Sequence, residues 1–253
     1  MLGKLFAKFA KRPVTSDATF PPLMADLPFI AVGDVHGRAD LLDRLLDRLA
    51  ADYPDLPVLT VGDYVDRGDD SAKVLRRLHQ GMRDGSGLIC LMGNHEEMCL
   101  RFLDNAEAHG SLWLRNGGLQ TLASFGVGGI GPSSKGADLR RTRDNLARQM
   151  GDDLIDWLRD LPLWWQSGNV VVLHAGADPT SPIDTQKRST FLWGHKDFAT
   201  RVRGDGLWVV HGHTIVPEPQ AKAGRIAVDT VAYATGRLTA AVIQGGDVRF
   251  IQA

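Results

Sequence analysis

Apolar and polar positions follow two rhythms along this chain. Runs of four mostly apolar residues recur at 29–32 (Phe-Ile-Ala-Val), 58–61 (Val-Leu-Thr-Val), 88–91 (Leu-Ile-Cys-Leu), 170–173 (Val-Val-Val-Leu) and 207–210 (Leu-Trp-Val-Val). Their length and β-branched content are those of buried strands. Between the first three the spacing becomes helical. Leu41, Leu42, Leu45, Leu46 and Leu49 follow the capping residue Asp40, and Val74, Leu75, Leu78 and Met82 follow Asp70 and Ser71. Each set forms one core-facing stripe. Pro54 and Pro57 close the first helical connection, and a third helix is predicted through Phe102 and Leu103. Strand–helix alternation of this kind predicts a parallel α/β core.

Residues 110–163 break the rhythm. Helical patterns over 113–125 and 138–157 flank the glycine-rich stretch 126–132, which predicts a mostly helical insertion beside the strand ends. Trp164 and Trp165 read as packing at its edge. Strand signals resume at 170 and continue at 225–228, 238–243 and 248–251, the last two joined by a hairpin turn at Gly245-Gly246-Asp247.

The 253 residues can bury a substantial core. A formal net charge of −1 gives no electrostatic footprint for nucleic acid. Cys90 and Cys99 make no disulfide framework and read as buried thiols in a reducing, cytoplasmic setting. No apolar stretch has the length of a membrane span, so no stable membrane insertion is expected. Residues 1–27 read as a tail and linker ahead of a domain at 28–253. Within that tail, Leu2, Leu5, Phe6 and Phe9 share a helical face, without the apolar core of a secretory signal. One such helix would be at most a marginal surface anchor.

Candidate chemistry gathers where the strands end. The five runs lead into Gly33-Asp34-Val35-His36-Gly37, Gly62-Asp63-Tyr64-Val65-Asp66-Arg67-Gly68, Gly93-Asn94-His95-Glu96, His174 and His211-Gly212-His213. In open α/β sheets, ligands bind beyond the carboxyl ends of the strands. Carboxylate oxygens and imidazole nitrogens suit manganese, iron or zinc. Two such ions about 3.5–4 Å apart can share a carboxylate. Asp34 and His36 are spaced to chelate one ion, Asp63 is placed to bridge, and Asn94, His174 and His213 would complete a second site. His211 shares a strand face with His213 and either lines the site or packs beside it. Arg38 reads as a solvated helix-start residue.

These motifs, in this order, resemble the signatures of the PPP-type serine/threonine protein phosphatases, within the calcineurin-like metallophosphoesterases. The likeness is nearest the small bacterial and bacteriophage-lambda-type members and runs from about residue 29 to 240. It implies a four-layer β-sandwich, two mixed sheets flanked by helices, with the helical insertion at about 110–163. It also implies two divalent ions, manganese first, with Asp34, His36 and Asp63 on one and Asp63, Asn94, His174 and His213 on the other. His95 and Asp66 would form the acid dyad, and Arg67 and Asn94 would grip the phosphate. The implied reaction is hydrolysis of phosphoserine or phosphothreonine in a phosphoprotein or phosphopeptide, by in-line attack of a bridging hydroxide. A symmetrical dinucleoside tetraphosphate hydrolase shares nearly all these motifs, and a catalytically silent phosphoprotein binder is the third reading. One departure stands out. His195 occupies the place of an arginine in related Leu-Trp-x-Arg segments, so the phosphate grip falls to His195 or to a neighbour such as Arg188 or Arg201, unless His195 turns outward and caps local backbone. Val231 replaces a glycine common after Asp229-Thr230.

Overall fold

Alternate residues of β1 (Phe29–Val32) point to opposite faces, and this period of two places the strand between two cores. Phe29 and Ala31 pack with Leu59, Val61, Val170 and Val210, whereas Ile30 and Val32 pack under helices. The computed structural model describes residues 20–253; the amphipathic segment expected near the N-terminus lies outside them.

The chain alternates from β1 through α1 (Ala39–Asp52), β2 (Val58–Thr60), α2 (Ser71–Arg83), β3 (Leu88–Cys90) and α3 (Asn94–Asp104). Leu41, Leu42, Leu45 and Leu49 of α1 and Val74, Leu75 and Leu78 of α2 are buried, as their spacing requires. Asp40 does not cap α1; its carboxylate pairs with the Arg38 guanidinium at 2.7 Å.

The insertion is helical, but 113–125 is not one helix. It divides into α4 (Ala106–Trp113) and α5 (Leu119–Ser124) across a kinked segment, Leu114–Gly118, in which Asn116 and Gly117 leave the helical region and Gly117 takes a φ of 106°. Two further helices, α6 (Ala137–Met150) and α7 (Asp152–Arg159), complete it.

A second sheet then forms from β4 (Trp164–Ser167), β5 (Val170–Leu173), β6 (Trp208–His211), β7 (Gln220–Lys222) and β8 (Arg225–Ala227). Trp164 and Trp165 thus belong to a strand, paired with Leu173 and Val172. A short α8 (Arg188–Trp193) lies before β6, and α9 (Ala232–Thr235) follows β8. The chain finally returns to the first sheet with β9 (Thr239–Gln244) and β10 (Asp247–Gln252), joined at Gly245 and Gly246, whose φ values of 61° and 85° suit a tight hairpin.

The strand orders are β10-β9-β1-β2-β3 and β4-β5-β6-β8-β7. In the first sheet the parallel trio β1-β2-β3 runs to one edge and β9 and β10 add antiparallel strands on the other side of β1; in the second the parallel trio β5-β6-β8 is central and carries antiparallel edges, so both sheets are mixed. One core fills the space between the sheets, a second lies under the helices of the first sheet, and Phe191 and Phe198 cover Val171 and Val209 on the far face of the other. This is the expected layering of two mixed sheets flanked by helices. Residues 20–27 carry no regular structure yet dock on the second sheet: Met24 N–H donates to Asn169 Oδ1 at 2.7 Å and Trp208 Nε1 to the Pro21 carbonyl at 2.9 Å. Among the described residues no helix is long and apolar enough to cross a membrane.

Candidate metal centre and active site

The parallel strands of both sheets end at one edge, and the turns beyond them converge. These turns hold an uncommon backbone. His36, Asp63, Asp66, Arg67 and His213 have φ of 43°, 55°, 72°, 70° and 58°, the left-handed region that non-glycine residues rarely enter. Backbone strain of this kind concentrates at functional sites, and here it fans side chains inward. Gly212 must be glycine, because a Cβ there would run into Asp34 Oδ1.

Asp63 is the hub. Its Oδ2 lies 3.5 Å from His36 Nε2 and 3.9 Å from His95 Nε2, and its Oδ1 lies 3.3 Å from His174 Nε2. Two groups of ligand-capable atoms result, one from His36, Asp63 and His95 and the other from Asp63, His174 and His213, with Asp63 common to both. Asn94 Oδ1 lies 2.7 Å from His174 Nε2 and 3.0 Å from His213 Nδ1. Asp34 joins from β1, its Oδ2 accepting the His213 N–H at 3.0 Å. Of the six expected ligands, all are therefore brought to one cluster, with His95 also at its edge.

Protonation decides what this cluster can hold. His174 Nδ1 is 3.1 Å and His36 Nδ1 2.8 Å from carbonyl oxygens of Val61 and Val65, which only accept, so each neutral ring carries its proton there. Burial pulls these rings down to about 4 and about 3, which keeps them neutral at pH 7. Their Nε2 lone pairs then face carboxylate and amide oxygens with no proton between them. Burial opposes ionisation of Asp63, but in the acid range where the imidazoles of His174, His95 and His36 become charged, their attraction outweighs it and holds the carboxyl below its usual range. Asp34 is pushed up by burial and by the charges of Asp229 and Asp63, and its buried Oδ1 has no hydrogen-bond partner. Electron-rich atoms facing one another and an orphaned carboxylate oxygen are what cations would satisfy. The donor set fits a pair of divalent ions.

Beside the cluster, His95 Nδ1 meets Asp66 Oδ2 at 2.7 Å. The insertion fixes that carboxylate: Trp113 Nε1 donates to it at 3.0 Å and Thr121 Oγ1 at 2.6 Å. Burial works against a charged His95, but Asp63 and Asp66 outweigh it and raise its pKa. Arg67 reaches His95 Nε2 at 3.4 Å and donates to the Tyr233 hydroxyl at 2.8 Å.

His195 is not brought to this group. Its Nδ1 accepts the Asp197 N–H at 3.3 Å, and the ring lines a depression with Asp178, Thr185 and Lys187. Arg188 is engaged by Glu97 at 3.2 Å. His211 packs beside the site, its ring 4.9 Å from that of Phe198. Arg38, paired with Asp40, also donates to the Ala232 carbonyl at 3.0 Å.

Several contributors carry weak sequence signals. Glu96 accepts backbone N–H groups from Gly93, Asp63, Tyr64 and Val65 at 2.7–3.1 Å. Only its place three residues after Gly93, as in a capping box, hints at this. Asp229 lies against Asp34. Tyr233, Trp113 and Thr121 stand in no motif.

The calcineurin-like phosphoesterase family profile matches residues 27–217. The chain belongs to that family. No curated protein matches the sequence. Among solved structures, a proposed diadenosine tetraphosphatase superposes with a TM-score of 0.63 at 24% identity, covering 90% of this chain and 94% of its own. A cold-active protein-tyrosine phosphatase of a psychrophilic Shewanella species gives 0.55 at 20% identity, covering 91% and 83%. A metallophosphoesterase from Sphaerobacter thermophilus gives 0.53 at 14% identity, covering 90% and 88%. At these identities the likeness establishes the fold. Membership of the family makes the chain a phosphoesterase with candidate metal-ligating residues in place.

Proposed function

We propose that this phosphoesterase is a metal-dependent phosphomonoesterase of the PPP type, acting on phosphoserine or phosphothreonine in proteins. The observation that carries the reading is the 2.7 Å contact between His95 Nδ1 and Asp66 Oδ2 beside the cluster. An alkoxide such as that of serine is a poor leaving group and needs a proton donor. Asp66 holds the imidazole in the tautomer that presents Nε2 and, with Asp63, favours its charged form. A protein that only bound phosphoproteins would have no use for such a donor.

Asp34, His36, Asp63, Asn94, His174 and His213 would hold two divalent ions, manganese first, and these would supply Lewis acidity to the phosphate oxygens and the attacking water. Arg67 presents a planar fork suited to two phosphate oxygens, and Tyr233 holds that fork in place through its hydroxyl. Asn94 can offer its amide to the same phosphate. Burial pushes the Asp66 carboxyl up, the Thr121 hydroxyl opposes that shift, and Thr121 with Trp113 holds the carboxylate in place while His95 gives up its proton.

Purified protein supplied with manganese should hydrolyse a phosphoserine peptide and p-nitrophenyl phosphate, and a chelator should stop both. Turnover of diadenosine tetraphosphate without turnover of the peptide would replace this reading with a dinucleotide hydrolase. Hydrolysis by metal-free protein would overturn it.

A further inference from the structure

The insertion gives more than support for Asp66. Its kink at Asn116 and Gly117 lies directly on the Asp66-Arg67 turn: Arg67 N–H donates to the Gly117 carbonyl at 3.4 Å, and a Cβ at Gly117 would come within 2.6 Å of the Arg67 nitrogen. Here the kink turns Arg115 and Asn116 into an open cleft of about 440 Å³ that also contains Arg67, Tyr233 and Gln120. No carboxylate lines this cleft. Arg115 is exposed at its rim and has neither an ion-pair nor a hydrogen-bond partner among the described residues. Asn116 spends one amide proton on the Leu112 carbonyl at 2.9 Å and keeps the other.

We propose that Arg115, with Asn116 and Gln120, forms a subsite for a second anionic group of the substrate: an acidic side chain flanking the phosphorylated residue of a peptide. The inference rests on the phosphoprotein reading above. Arg67 marks where the scissile phosphate is gripped, and the cleft continues outward from it to a second, unpaired guanidinium. A carboxylate there meets a fork made for two oxygens. A nucleotide fits less well, because a base needs a free aromatic face. Tyr233 is the cleft's one aromatic; the Arg67 guanidinium covers its ring at 5.0 Å, and His36 approaches it at 5.4 Å.

The test uses manganese-loaded protein and two non-hydrolysable phosphonate analogues of one phosphoserine peptide, one with aspartates flanking the phosphonate and one with alanines. Calorimetric titration should show the acidic peptide bound about fivefold more tightly, a preference that shrinks as salt is raised. Arg115→Ala should bring the ratio of the two affinities to about one, Arg115→Lys should keep part of it, and Arg115→Glu should reverse it. Equal losses on both peptides, or a preference that survives Arg115→Ala, would overturn the subsite while leaving the phosphoprotein reading intact. A preference that depends on Arg115 for adenosine diphosphate but not for the acidic peptide would overturn it in favour of a nucleotide. If neither peptide binds, and neither phosphoserine parent is hydrolysed, the phosphoprotein reading itself fails and this inference with it.

Discussion

Glu96 Oε2 accepts the backbone N–H of Asp63 at 2.8 Å, so the first turn of α3 holds the residue shared by both halves of the metal cluster. The same carboxylate takes the N–H groups of Gly93, Tyr64 and Val65. Removing it strands four buried donors, each at a cost of about 1–3 kcal/mol where water cannot reach. Glu96→Ala is expected to destabilise the fold by about 3 kcal/mol or more, and to loosen Asp63 as well. Chemical denaturation of the variant beside the parent measures the first effect, and metal content after dialysis the second.

Asp63 should matter more than any other ligand. The protein as isolated is expected to contain up to two equivalents of manganese, iron or zinc, and chelation should abolish hydrolysis. Asp63→Asn removes the carboxylate common to both groups of ligand atoms, whereas Asp34→Asn touches one side of the cluster. Elemental analysis of the two variants should show the larger loss for Asp63→Asn. Equal metal content in both would deny Asp63 its shared role.

The dyad predicts a substrate-dependent defect. General acid catalysis contributes about 10²–10⁴-fold, and most where the leaving group is poor. His95→Asn should therefore slow hydrolysis of phosphoserine far more than that of p-nitrophenyl phosphate. The comparison needs kcat/KM on both substrates, and a uniform loss would remove His95 from the role of donor.

How much of this was legible in the sequence depends on the kind of signal. The strands of the first sheet and their terminal motifs are visible because short apolar runs and glycine-bounded turns have local causes. The kink at Asn116 and Gly117 is not, since Trp113, Leu114 and Leu122 keep a helical spacing across it and Gly117 alone betrays the break. Strand β4 was hidden because Trp164 and Trp165 suit any apolar contact. Tyr233 reaches Arg67 across 166 positions, a pairing no local pattern encodes. Motif position suggested His195 for the phosphate grip or for capping local backbone, and its Nδ1 accepts the N–H of Asp197, two residues on.

Acid should destabilise the protein through its buried imidazoles, and His211 isolates one of them. Burial lowers this ring from its ordinary 6.5 to about 4. The unfolded chain therefore binds the proton first. Stability from this residue is fully present above pH 6.5 and is lost as pH falls toward 4, by about 3 kcal/mol across that window. His211→Gln, which cannot charge, should show a shallower decline in denaturation midpoint between pH 7 and pH 5. A slope identical to that of the parent would mean that the ring does not titrate as its burial requires.

The return of β9 to the first sheet has a consequence for synthesis. Asp34 and His36 hang from β1, and β1 pairs on one side with β9, which follows every strand of the second sheet in the sequence. His174 and His213 hang from the other sheet, which is made in between. A ribosome therefore releases the halves of the site at different times, and the strand that buries one flank of the first half emerges only after the second half. The first sheet therefore closes over Asp34 and His36 only after the residues that carry His174 and His213 have been made.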